Sequence, residues 1–174
     1  MNQERNGRVF AAIAVVFLCT SCGPTYIEPP ASGSDVAYLT VPEPTSGHDM
    51  AVSTFTDPEF CTGQSMLRVG TLFAGNAPVS TSFVRIHAGD PSTFRIILVK
   101  GTPAACSPFV NFVPQAGRYY RIEAADNPGT NTCHATVTSA DNPSMANARV
   151  EDVRRPRLHE PLFSGSRASW CTPG

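Results

Sequence analysis

An apolar run near the N-terminus, Val9 to Leu18, constrains this chain more than any other stretch. Its ten residues carry no charge. Ahead of it Arg5 and Arg8 outweigh Glu4. Behind it come the small residues Thr20 and Ser21, then Cys22. A basic start, a short apolar middle and a small-residue exit make the outline of a secretory signal peptide. A helix that spans a bilayer needs about 20 apolar residues, so this run is too short for a permanent span. The expectation is a chain that is exported, trimmed and folded in an oxidising compartment. That compartment decides what its cysteines do, and so how the body is held together.

The exit, Leu18-Cys19-Thr20-Ser21-Cys22, resembles the lipobox of bacterial lipoproteins. In that pattern an aliphatic residue three or four places before the cysteine is followed by two small residues. Here Thr20 and Ser21 hold the small positions, Cys19 stands where leucine is usual, and Leu18 lies one place early. The resemblance implies diacylglyceryl transfer to the Cys22 thiol, cleavage after Ser21 and acylation of the new amine. Residues 1–21 are then a signal peptide, and Cys22 carries the contact with the membrane. At about 0.8 kcal/mol per buried methylene, two or three fatty chains make that contact essentially permanent. Gly23 follows Cys22 where Asp would otherwise stand, which in similar lipoproteins goes with the outer membrane. The plain alternative is a signal peptide cut near Ser21 that releases a soluble protein.

Cleavage after Ser21 leaves about 153 of the 174 residues, a length that suits one domain with one core. Loss of Glu4, Arg5 and Arg8 leaves 11 basic and 13 acidic residues, a net charge near −2. With no basic excess, the balance excludes nucleic acid as a partner and gives no general attraction to anionic lipid. The 16 prolines and 13 glycines argue for many turns and against long helices.

Cys19 leaves with the signal and Cys22 takes lipid. Cys61, Cys106, Cys133 and Cys171 remain, an even number in an exported chain, and two disulfides follow. Four cysteines allow three pairings. Cys106–Cys133 is favoured because the two flank neighbouring predicted strands. Cys61–Cys171 then ties the C-terminal tail back to the body. A metal site is disfavoured by the absence of CxxC spacing and of suitably offset histidines.

Residues 22–34 are rich in Pro, Gly and Ser and read as a lipidated, flexible tether. The body is expected to span 35–140, with 141–174 as an irregular extension packed on it. Val36–Val41 and Met50–Phe55 are β-rich, with Thr56-Asp57-Pro58 as a stop and Cys61-Thr62-Gly63 as loop. Met66–Phe73 reads as a third strand, Gly70 marking a bulge. From Thr81, Val84, Ile86 and Ala88 alternate with Arg85 and His87, one face to the core and one to water. Phe94–Val99 is nearly all apolar and suggests a central strand buried on both faces. Residues 101–108 read as a loop that holds Cys106. Phe109–Val113, Tyr119–Ala124 and Thr132–Thr138 complete the strands, and Met145–Val153 suggests a turn or two of helix. The fold class expected is all-β: a single antiparallel β-sandwich, immunoglobulin-like or transthyretin-like, stapled by disulfides.

The stretch from Cys106 through Phe112-Val113-Pro114-Gln115-Ala116-Gly117-Arg118-Tyr119-Tyr120 to Cys133 is similar to small proteobacterial envelope lipoproteins of unknown function. Those carry a cysteine, then F-x-P-x-x-G-x-x-Y, then a second cysteine in the next strand. The likeness covers residues 81–138. It implies a sandwich and brings no catalytic residue with it.

No catalytic, cofactor-binding or metal-binding set emerges. Gly63-Gln64-Ser65 begins like a nucleophile elbow but lacks the closing glycine. There is no phosphate-binding loop and no HExxH. His48, His87, His134 and His159 are scattered, and a meeting of His87 with His134 across a sheet would make only a weak metal site. Asp57, Asp90, Asp126 and Asp141 sit beside prolines or Asn-Pro and are expected to hold turns. Arg149, Arg154, Arg155 and Arg157 form either a docking patch for an acidic partner or lipid headgroup, or a solvated tail diluted by Glu151, Asp152 and Glu160. Tyr119, Tyr120 and Trp170 belong either to a ligand groove or to packing. The function expected is a non-enzymatic, membrane-anchored envelope module that binds a protein or glycan partner. A structural subunit of an envelope assembly and a periplasmic hydrolase are the alternatives. Nothing in the sequence sets an oligomeric state.

Overall fold

The computed structural model describes residues 25–42, 49–67, 83–99, 104–127, 129–130, 132–159 and 170–172. These form twelve strands and no helix. In chain order they are β1 (Val36–Thr40), β2 (Asp49–Asp57), β3 (Thr62–Leu67), β4 (Val84–His87), β5 (Ser92–Val99), β6 (Ala104–Cys106), β7 (Phe109–Phe112), β8 (Tyr119–Asn127), β9 (Thr132–Ala140), β10 (Arg149–Val150), β11 (Arg157–His159) and β12 (Trp170–Thr172). One five-stranded sheet runs β10-β9-β8-β1-β4. The other runs β3-β2-β5-β6, with β7 continuing along the β6 side of β5. β11 and β12 pair as a separate ribbon.

Period-two alternation builds the interior. Leu39 of β1, Val84 and Ile86 of β4, Tyr120 and Ile122 of β8, and Ala135 and Val137 of β9 are buried from the first sheet. Met50 and Val52 of β2, Phe94, Ile96 and Leu98 of β5, and Val110 and Phe112 of β7 are buried from the second. All belong to one continuous cluster. Three rings run through it: Phe94 to Phe112 with centroids 5.6 Å apart, and Phe112 to Tyr120 at 5.0 Å. Each such side chain contributes about 1.5–3 kcal/mol by leaving water.

Both disulfides form in the favoured pairing. Cys61 bonds Cys171 with Cα atoms 5.3 Å apart, and Cys106 bonds Cys133 at 6.1 Å. Cys106 and Cys133 are not on neighbouring strands, however. One is on β6 of the second sheet and the other on β9 of the first, so the bond joins the sheets. Cys61 and Cys171 pack with Phe109 and Phe55 in a small separate cluster, and the Cys171 N–H donates to the Phe60 carbonyl at 2.9 Å.

Several expectations are corrected. The sheets are not wholly antiparallel: β1 lies parallel to β8, Tyr38 opposite Tyr119. Side-chain alternation is the same in both directions, which is why the pattern could not reveal this. β2 runs on through Asp57, and β3 starts at Thr62, inside the expected loop, because Asp57 and Thr62 close a hairpin. Gly70 and the end of the expected third strand lie outside the described residues. β5 is central, but only Phe94, Ile96 and Leu98 face the core; Arg95, Ile97 and Val99 are half-buried on the other side. Cys106 ends a short strand, not a loop. Met145–Val153 forms no helix: Met145 and Asn147 have φ of 56° and 59°, left-handed values that break one, and β10 then pairs β9.

The β2–β3 hairpin depends on one glycine. Gly63 has φ +66°, and a Cβ there would stand 2.8 Å from the Thr56 hydroxyl oxygen and 2.9 Å from its Cβ. Gly63→Ala is expected to lower stability by about 1–3 kcal/mol, read as a fall in the urea midpoint at unchanged slope. A midpoint equal to that of the parent protein would contradict the placement of this turn.

Candidate functional site

The segment expected to be free tether lies along the body from Thr25 onward. Thr25 forms a parallel bridge to Met66 on β3, and the Tyr26 N–H donates to the Met66 carbonyl at 2.8 Å. The Tyr26 hydroxyl bonds to the His87 main chain. The Glu28 carboxylate accepts from the Arg85 N–H at 3.2 Å and from its Nε at 3.1 Å. Pro29 is buried. β3 is the edge of one sheet and β4 the edge of the other. Residues 25–29 are therefore a strap that joins both edges and covers part of what would otherwise be open pairing groups.

The strap makes one wall of a cleft of about 370 Å³. Tyr26 lines it with Thr54 and Thr56 of β2, Ser65 of β3, His87 of β4 and Asp90. The Phe55 side chain stacks on Phe109, ring centroids 6.1 Å apart, in the cluster of the Cys61–Cys171 bond. Among the described residues, aromatic, hydroxyl, imidazole and carboxylate side chains line the cleft, and no lysine or arginine does. His87 Nδ1 lies 3.8 Å from Asp35, but both side chains are more than half exposed, at 61% and 65%. A catalytic base is normally held by a well-ordered partner against a nucleophile, and this exposed pair lacks that setting. Burial pushes the Tyr26 hydroxyl above its ordinary pKa of 10.0; the His87 main-chain bond opposes this and the Glu28 charge adds to it.

A second cleft, about 320 Å³, lies where the tail crosses the body. Asp57 and Glu59 line it with Asn111 and Arg154. Beneath it Thr93, wholly buried, donates to the Pro58 carbonyl at 2.5 Å and accepts from Asn111 Nδ2 at 2.7 Å. Asn111 and Arg154 exchange two main-chain bonds, each 2.9 Å. These contacts satisfy the buried polar groups within the fold and leave the cleft a seam between tail and body.

A third polar group sits at the β7–β8 turn. The Gln115 N–H donates to the Tyr120 hydroxyl oxygen at 2.8 Å. Arg118 donates to the Ser139 hydroxyl at 2.8 Å, and Ser139 donates to the Glu151 carboxylate. Burial is the main reason the Tyr120 hydroxyl also titrates high; the Gln115 bond offsets it, the Glu151 charge adds and the Arg118 charge opposes. The set clamps the tail at Glu151 to β9.

The other expected site residues are not brought together. His87 is on β4 and His134 on β9, three strand spacings apart, or about 14 Å. No metal-binding cluster occurs among the described residues. Asp57 holds its turn as expected, accepting from the Phe60 N–H at 3.2 Å. Asp141 instead faces Arg118 at 3.5 Å. Arg149 lies on β10, beside β9, and Arg154 is bridged to Asn111 of β7. Tyr119 stacks on Tyr38 at 4.7 Å, with Phe83 edge-on at 5.1 Å, on the outer face of the first sheet. Cys22 and the Trp170 side chain lie outside the described residues. Sequence reasoning missed Tyr26 because a Pro- and Gly-rich context reads as tether. No family model matches the chain, and no curated protein or solved structure matches it either.

The raised Tyr26 hydroxyl fixes a pH dependence. Below pH 10 the residue is protonated whether folded or not. Above that the unfolded chain ionises first, so stability falls as pH rises through the higher folded value. Tyr26→Phe is expected to make the loss of stability above pH 10 shallower, measured by urea unfolding at stepped pH. An unchanged slope would contradict the burial of this hydroxyl.

Proposed function

We propose that this chain is a lipoprotein of a bacterial cell envelope, anchored through Cys22 and facing the periplasm or exterior at the outer membrane, that works by binding and not by chemistry. Its two sheets pack face to face as a β-sandwich of the immunoglobulin-like kind. Two things support that packing. The core cluster draws on both sheets. Tyr120, near the start of β8, takes a main-chain hydrogen bond from five residues upstream, as in the tyrosine corner of Greek-key sandwiches.

The ligand class follows from the cleft beside the strap, and this cleft carries the reading. A volume of about 370 Å³ is at the small end of ligand sites. The ring of Tyr26 suits the apolar face of a sugar, while Thr56, Ser65 and Asp90 suit its hydroxyls. No lysine or arginine lines it among the described residues, which disfavours phosphate or carboxylate ligands. The fit is therefore the end of a neutral glycan. A hydrolase is the second reading, and His87 near Asp35 is what it draws on.

Titration of the membrane-extracted protein with β-1,4-linked tetramers of glucose and of N-acetylglucosamine, followed by calorimetry, tests the proposal. One of them is expected to bind and to be recovered uncut, with Tyr26→Ala weakening it at least about tenfold, a ring–sugar contact being of hot-spot size. Tyr119→Ala should leave binding unchanged. Cleavage of the sugar would favour the hydrolase, and absence of binding to either would contradict the glycan reading.

A further inference from the structure

We infer that the body lies edge-on against the bilayer, with the β3 and β4 edges and the strap facing the lipid and Ile27 in the headgroup layer. The inference rests on the reading of Cys22 as the acylated residue. Its occupant is a phospholipid surface.

Leash length carries the inference. Thr25 is already paired to Met66 on the body, so only residues 22–24 separate the acylated sulfur from a fixed point. At no more than about 3.6 Å per residue, that is at most about 11 Å of chain. A headgroup layer is about 6 Å thick, half the difference between a 40–45 Å bilayer and its 30 Å hydrocarbon core. The acylated end sits at the inner boundary of that layer. About 5 Å then remains between the lipid surface and Thr25, too little for the body to turn another face to the membrane. The strap joins an edge of each sheet, so both sheets stand on edge together. Ile27, two residues beyond Thr25, is 87% exposed, the most exposed large apolar side chain among the described residues.

The same geometry places the far edges. β10 is four strand spacings from β4, about 19 Å, and β7 is three from β3, about 14 Å. Arg149 and Arg154 belong to those far edges, so these two arginines lie away from the lipid. The cleft wall formed by Tyr26 is on the near side, four residues from the anchor.

Fluorescence quenching tests this. Ile27→Trp and Val150→Trp are each made in a Trp170→Phe background, with Pro30→Trp as a second strap position should the first fail to fold. The proteins are extracted from membranes and reconstituted in phosphatidylethanolamine–phosphatidylglycerol vesicles containing bromine-labelled lipid. Mass spectrometry of the N-terminal peptide is run on each preparation. With acyl chains on Cys22, the strap tryptophan is expected to be quenched at least threefold more than the tryptophan at 150. Acylated protein with equal quenching at both sites, or none in the strap, would overturn the orientation and leave the anchor standing. A peptide without acyl chains would overturn the anchor and the orientation with it.

Discussion

One apolar interior shared by two sheets is the constraint on which everything else depends. Neither sheet is covered by a helix among the described residues, and each needs the other to keep its apolar face dry. Phe94 and Phe112 on one side and Tyr120 on the other hold the contact at ring-to-ring distance. Tyr120 does two jobs. Its ring belongs to the core, and its oxygen takes the Gln115 N–H at the rim. The turn it secures then binds the rest of the first sheet: the Gly117 N–H donates to the Val36 carbonyl at 2.8 Å, and the Gly89 N–H to the Pro114 carbonyl at 2.8 Å. Gly117, at φ +75°, supplies the left-handed conformation the turn requires.

Around that interior the chain closes its own openings. Cys106–Cys133 joins one sheet to the other, and Cys61–Cys171 brings the C-terminal ribbon onto the β2–β3 hairpin. On the chain-entropy view, closing loops of 27 and 110 residues contributes about 3.5 and about 4.8 kcal/mol, a large share of the stability of a body this size. The strap at Thr25–Pro29 ties the two near edges, and the Glu151–Ser139–Arg118 set fastens the tail at the far one. The strap does more than close an edge. It forms a wall of the cleft proposed to bind glycan, so the proposed anchor at Cys22 and the proposed binding site are a few residues apart.

What the sequence made legible is what alternation and oxidation chemistry express locally. Val84-Arg85-Ile86-His87 alternates into and out of the core as read, and so does Tyr120-Arg121-Ile122-Glu123. The cysteine pairing was legible because the expected export and lipidation leave an even set, although the Cys106–Cys133 bond joins strands of different sheets and not neighbours. The parallel neighbour of β1 was not, because it is fixed by which strands meet and not by their own residues. Nor was the strap. Its hold comes from Glu28 meeting Arg85, 57 positions away, and from Thr25 meeting Met66, contacts between residues that have no local periodicity. The cleft is invisible in sequence for the same reason: Tyr26, Thr56, Ser65 and Asp90 converge from four separate stretches.

Peptide mapping of the unreduced protein is the most direct measurement of this architecture. Two linked pairs are expected, one joining the peptides of Cys61 and Cys171, the other those of Cys106 and Cys133. A Cys61–Cys106 or Cys61–Cys133 link in the folded protein would contradict two sheets sharing one interior, because it would put β6, β9 and the C-terminal ribbon in places this arrangement forbids.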